Sequence, residues 1–175
     1  SEMVFEHEAT SSGSDYENLF MEIKSIKFSQ NKEWKDCLKG LAFALVASSS
    51  QGNAEGMQLV QSLRAQALKW KGMARRMVQN PSDELAIVEA LEEKACGEID
   101  SPWKAVFRFA LQLLLQVEVL SDEGLEMWIG ERRTQDKTQP EAQLFYTEDV
   151  QKFVEWLEEE EEEEDSSDES DSDDE

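Results

Sequence analysis

Apolar residues recur three and four positions apart along almost the whole chain, the spacing of one face of an α-helix, and no stretch alternates apolar with polar as a half-buried strand would. That pattern predicts an all-α fold. Between Asp15 and Ser29 the stripe is Leu19, Phe20, Ile23 and Ile26, and Glu33 to Ala47 repeats it with Trp34, Cys37, Leu38, Leu41, Ala42 and Leu45. Ala54 to Val78 turns Leu59, Val60, Leu63, Ala67, Trp70, Ala74 and Met77 inward and carries a concentration of bases, Arg64, Lys69, Lys71, Arg75 and Arg76. Asn80 followed by Pro81 is a cap and first-turn pair, opening a helix that stops near Gly97. Ser101-Pro102 opens another, to about Leu120, that is apolar nearly all round and is expected at the buried centre. Ser121, with Asp122 and Glu123 behind it, caps a helix to Arg133; a polar loop, Thr134 to Pro140, then leads to a last helix capped by Thr147.

Seven or eight helices on short connections suit antiparallel pairs stacked in a right-handed layer, without the clean repeat that a regular solenoid would show. The expected division is a flexible segment over 1–14, one helical domain over 15–160 and a disordered acidic tail over 161–175, where no apolar residue is left to bury. The start at Ser1 rather than Met suits a piece of a longer protein.

Charge narrows the function. The chain carries a net −23, of which Glu158 to Glu175 supplies fourteen acids and no base, so the body is acidic too. Direct nucleic-acid binding is disfavoured, because phosphates need a basic stripe. The longest apolar run, Leu41 to Ala47, falls far short of the ~20 residues that cross a bilayer. No membrane association is expected, and the expected location is the cytoplasm. Cys37 and Cys96 sit in apolar helical contexts and read as reduced core thiols. One histidine, His7, without a recognisable base partner for either cysteine, gives little support to side-chain catalysis. No glycine-rich phosphate loop is present, and a run of glutamates does not make a selective metal site, so no cofactor and no metal are expected.

The acids gain meaning from the aromatic residues beside them. One acidic-aromatic segment contains Glu118, Asp122, Glu123 and Trp128; the other contains Phe153 and Trp156 followed by Glu158, Glu159 and Glu160. A ring beside carboxylates can hold a lysine, whose ammonium meets the acids and whose stem covers the ring. At 100° per residue Trp156 lies about 110° from the centre of the Val150, Phe153, Val154 and Leu157 stripe, which predicts partial exposure. Trp128 lies nearer its own stripe, between Leu125 and Ile129, where core packing competes with a binding role.

Two such boxes at the end of an all-helical domain of this length resemble the two-tryptophan HEAT-like domain shared by several eukaryotic translation initiation factors. Its members include the epsilon subunit of the guanine-nucleotide exchange factor for initiation factor two, initiation factor five, and scaffold proteins related to initiation factor four-G. The stretch Glu22-Ile23-Lys24-Ser25-Ile26-Lys27-Phe28-Ser29 is similar to the catalytic helix of the epsilon subunit. The resemblance implies a HEAT-like fold, Glu22 as an essential carboxylate, Ser29 as a supporting hydroxyl and Thr10 as a further match upstream. It implies that the partner is initiation factor two: the boxes would hold the lysine-rich segment of its beta subunit while Glu22 engages its gamma-subunit GTPase and speeds GDP release. Other subunits of the exchange factor would be further partners. Geometry fits, since Glu22, Ser25 and Ser29 are spaced three and four apart on one side of the helix. The alternatives are a non-catalytic adaptor domain of the same family, as in initiation factor five, and an acidic chaperone. Finally, Ser166, Ser170 and Ser172 each precede an acid by three residues, the pattern an acidophilic kinase reads, and each phosphate would add roughly −1.5 to −2 charges.

Overall fold

The structure, a computed structural model, describes residues 16–52, 55–97 and 100–173, with side chains of the last helix as far as 160 and at 162. The described residues form eight α-helices: α1 (Tyr16–Ser29), α2 (Trp34–Ser49), α3 (Gly56–Met77), α4 (Leu85–Cys96), α5 (Pro102–Gln116), α6 (Asp122–Thr134), α7 (Pro140–Phe145) and α8 (Glu148–Asp173). A 3-10 turn, Pro81–Glu84, precedes α4.

The helices stack in two layers of paired helices, a HEAT-like arrangement. Short connections pair α2 with α3 and α4 with α5; α2 packs on α4, which packs on α6, while α3 packs on α5, which packs on α8. The α7 helix touches α4, α6 and α8, and α1 lies on α2 at the outer end of the stack. Leu38, Leu41, Leu59, Leu63, Met73, Leu91, Phe107, Leu111 and Leu114 fill the space between the layers.

Local chemistry sets most boundaries. Glu33 caps α2 reciprocally with Asp36, whose carboxylate accepts from the Glu33 N–H at 3.0 Å. Asn80 is the expected cap, but what it opens is the 3-10 turn, because the Asp83 carboxylate takes the N–H groups of Gln79 and Asn80 at 2.9 and 3.2 Å. The α5 helix ends four residues before Leu120, the expected end: Glu118 turns left-handed at φ 67°, and Val119 N–H closes the end onto Leu114 O at 2.9 Å. The expected loop over 134–140 is followed by α7, a helix too short to stand out from its spacing alone. Thr147 does not cap α8 through its side chain; its hydroxyl donates to Leu144 O at 2.8 Å.

One expectation changes at the amino-terminal end. Ile26, expected in the buried stripe, is 36% exposed, and among the described side chains α1 buries Leu19, Phe20 and Ile23. At the other terminus, Leu157 is the last buried residue among those whose side chains are described, and the helical backbone is described as far as Asp173.

Candidate functional site

Three groups of side chains come into question: the outer face of α1, the turn into α6, and the outer face of α8.

On α1, Glu22, Ser25 and Ser29 are all exposed and share the side turned away from the body. Met21 and Phe28 flank them at 59% and 67% exposure, which makes this face mixed, apolar at both ends and polar between. Ser29 donates to Ile26 O at 3.1 Å and so sits in the helix's last turn with its hydroxyl oxygen still open to accept. Lys27 places its ammonium over the rings of Phe28 and Trp34, at 4.6 and 5.0 Å. Thr10 lies outside the described residues.

The turn into α6 is built from distant parts of the chain. Ser121 accepts from Gly124 N–H at 3.2 Å, as an N-cap does. Its own N–H and hydroxyl donate to the two carboxylate oxygens of buried Glu84, at 2.6 and 2.8 Å. Gly124 is required here, because a Cβ at that position would stand 2.6 Å from Glu84 Oε1. This fixes the angle at which Asp122 and Glu123 leave the body, both exposed in the first turn, where the positive end of the helix dipole favours them. Just upstream, Glu118 is exposed with its carboxylate 3.7 Å from Lys71, and its carbonyl accepts from Arg75 at 2.8 Å. A left-handed non-glycine residue costs about 1–2 kcal/mol. A glutamate there rather than a glycine is thus an outlier of the kind found at functional sites.

Trp128 does not belong to that surface. It is 0% exposed, edge-on to Phe145 at 5.3 Å and tilted against Phe107 at 6.1 Å, so a partner cannot touch it. Its indole N–H donates at 3.1 Å to buried Glu92, whose carboxylate also receives Arg132 Nε and Nη2 at 2.7 and 2.6 Å. Burial pushes the Glu92 carboxyl up, opposed by the Arg132 guanidinium and the Trp128 N–H, while Glu92 pushes Arg132 up in turn. The fork-to-fork pair with a third donor satisfies a carboxylate that would be untenable alone in the core. Trp128 acts from inside, tying α6 to α4, α5 and α7.

On α8 the aromatic pair divides in the same way. Phe153 is 1% exposed, whereas Trp156 is half-buried, stacked on Phe153 at 5.9 Å and 28°. Glu159 and Glu160, both exposed, follow Trp156 by three and four residues and so share its side of the helix. Glu158 is exposed as well and pairs with Arg133 of α6 at 2.8 Å. The two acidic groups are therefore not adjacent. Asp122 and Glu123 stand at the first turn of α6, Arg133 with Glu158 at its last, and the rise between them is about 16 Å. Ser166, Ser170 and Ser172 fall on the far part of α8, where side chains are not described.

The cysteines are free and half-buried rather than deep in the core, and burial pushes both thiols up, which makes them poor nucleophiles. Two clefts, of about 470 and 370 Å³, are lined by none of the residues named as candidates. The participants missed from sequence are Glu84, Glu92, Arg132, Arg133, Lys71 and Arg75. Each acts on a residue 25 or more positions away, and no local pattern announces such a contact.

Compared with known protein families, residues 83–167 match the family described as W2: eIF4-gamma/eIF5/eIF2-epsilon. The matched stretch contains α4 to α7 and the start of α8, hence both acidic-aromatic segments, and stops short of α1.

Proposed function

From the premise that this chain carries a W2 region of the eIF4-gamma/eIF5/eIF2-epsilon family over residues 83–167, we propose that it is a guanine-nucleotide exchange domain acting on translation initiation factor two. The observation that carries the exchange reading is the outer face of α1, where Glu22, Ser25 and Ser29 stand together in solvent on a helix whose sequence resembles the catalytic helix of the epsilon subunit.

The reaction is release of GDP from a GTPase and involves no covalent step. Trp156 with Glu158, Glu159 and Glu160, and separately Glu118 with Asp122 and Glu123, hold a lysine-rich segment of the beta subunit. A cation on the indole and carboxylates around it is worth about 0.5–1 kcal/mol at each exposed contact, so affinity builds by number. Spanning the ~16 Å along α6 takes about five extended residues, so one basic segment can reach both groups. That tether raises the local concentration of the gamma-subunit GTPase next to α1. Glu22 then enters the nucleotide site, where a carboxylate repels the phosphates and competes for the cations that hold them; Ser29 supports it. Other subunits of the exchange factor are further partners.

A second reading, a non-catalytic adaptor of the initiation factor five kind, draws on the extent of the family match, which covers the boxes and leaves out α1. GDP release separates the two. Mixed with initiation factor two loaded with labelled GDP, the chain accelerates release and Glu22→Ala abolishes the acceleration at unchanged melting temperature; a folded Glu22→Ala variant with full activity leaves only the adaptor.

A further inference from the structure

Among the described side chains the α1 helix buries three apolar ones, Leu19, Phe20 and Ile23. What else fixes it is a column of alternating cations and rings. Arg76, in the last turn of α3, holds its guanidinium 4.0 Å from the Phe20 ring and 2.6 Å from the Glu17 carboxylate. Phe20 stacks on Trp34, the first residue of α2, at 5.5 Å and 6°. On the other side Lys27 lies 5.0 Å from the Trp34 ring, and it also reaches the Phe28 ring at 4.6 Å. The column therefore runs from Arg76 through Phe20 and Trp34 to Lys27 and Phe28, and it joins three helices. Arg76 ties the first turns of α1 to α3; Lys27 ties its last turns to α2.

Both cations act on the side of α1 opposite Glu22. At 100° per residue Phe20 and Lys27 point almost the same way, while Glu22, Ser25 and Ser29 lie more than a quarter turn from them. Loss of the column would leave the outer face chemically intact but free to tilt. The α2 to α8 body does not need it, because its layers close on their own core.

We propose that Arg76 and Lys27 are positioning residues, two cationic clips that hold α1 through Phe20 and Trp34 and so fix the angle at which Glu22 meets its partner. This rests on the exchange reading only for its consequence; the clip itself is a property of the fold.

The test uses the 175-residue chain with Arg76→Gln and Lys27→Gln together, read by backbone hydrogen exchange and by GDP release. Losing the two cation–ring contacts that tie α1 to α3 and α2, with the local Lys27–Phe28 contact and one ion pair, should speed exchange of the α1 amides by about five- to thirtyfold, with α4 to α6 unchanged. Lys27→Arg, which keeps a cation over both rings, should retain protection. The same double variant should lower the maximal rate of GDP release while the concentration of initiation factor two giving half that rate stays put, since the boxes are untouched. Unchanged α1 protection overturns the clip. Lost protection with a full maximal rate overturns the positioning role. If Glu22→Ala keeps full release, the exchange reading falls instead, and the protection measurement still decides whether α1 is clipped.

Discussion

Glu92 takes three donated hydrogen bonds inside the core, and its removal would strand Arg132 and the Trp128 N–H at once. Breaking one side of such a buried pair costs about 3–5 kcal/mol. Glu92→Ala and Arg132→Ala should each lose that much in denaturant unfolding, and the joint replacement Glu92→Met with Arg132→Leu should lose clearly less than their sum. Single losses below 1 kcal/mol would mean that water relieves the stranded group. Glu118 makes the opposite forecast. Glu118→Gly removes a left-handed strain of about 1–2 kcal/mol and a solvent-exposed pair with Lys71 worth about 0.2–1 kcal/mol. Stability should hold or rise slightly, while titration with a lysine-rich peptide shows weaker binding. A marked drop in melting temperature would assign the Glu118 side chain to the fold. Neither role was legible in the sequence, where Glu92 is one helix acid among many and Glu118 lies between Val117 and Val119 with nothing to mark a left-handed turn. Helix spacing reports which face a residue occupies and is silent on its partner across the core.

The helices themselves were legible because their stripes and stops are local. Ser101-Pro102 and Ser121 mark their helices correctly, and Leu125, Trp128 and Ile129 fall inward as the spacing predicts. Boundaries failed where a contact from elsewhere intervened, as Arg75 and Lys71 do at Glu118, or where the element was short, as α7 is. Gly124 shows how an element end depends on such a contact. Gly124→Ala pushes a methyl group into the Glu84 carboxylate, which must leave Ser121, and should cost about 1–3 kcal/mol with the loosening concentrated in the first turn of α6. Amide exchange that stays slow from Asp122 to Leu125 would contradict this. For α8 the packing limit is Leu157. Truncation after Leu157 should leave the unfolding curve in place, whereas truncation after Lys152 removes Phe153 and Val154 from the core and should prevent folding.

Across the whole molecule the acid excess was legible, but its arrangement was not, because sequence order does not reveal that α6 separates the two acidic groups. If both hold one lysine-rich segment, affinity should fall steeply between low and physiological salt, as the Debye length shrinks to ~8 Å, and a peptide too short to span ~16 Å should bind only as tightly as to one group. Equal affinities for short and long peptides would leave the groups acting separately.

The five tryptophans add something of practical use. Trp70, Trp103 and Trp128 are buried, while Trp34 and Trp156 are half in solvent. Light emitted at the red edge of the indole spectrum will come mainly from the two half-buried rings, one bracing α1 and the other on the acidic helix α8. Each can be silenced by a phenylalanine. Trp34→Phe leaves Trp156 as the lamp that dims when a lysine covers it, and Trp156→Phe leaves Trp34 to report the tilt of α1. The protein thus carries its own pair of optical gauges, one for capture and one for the helix that would do the work.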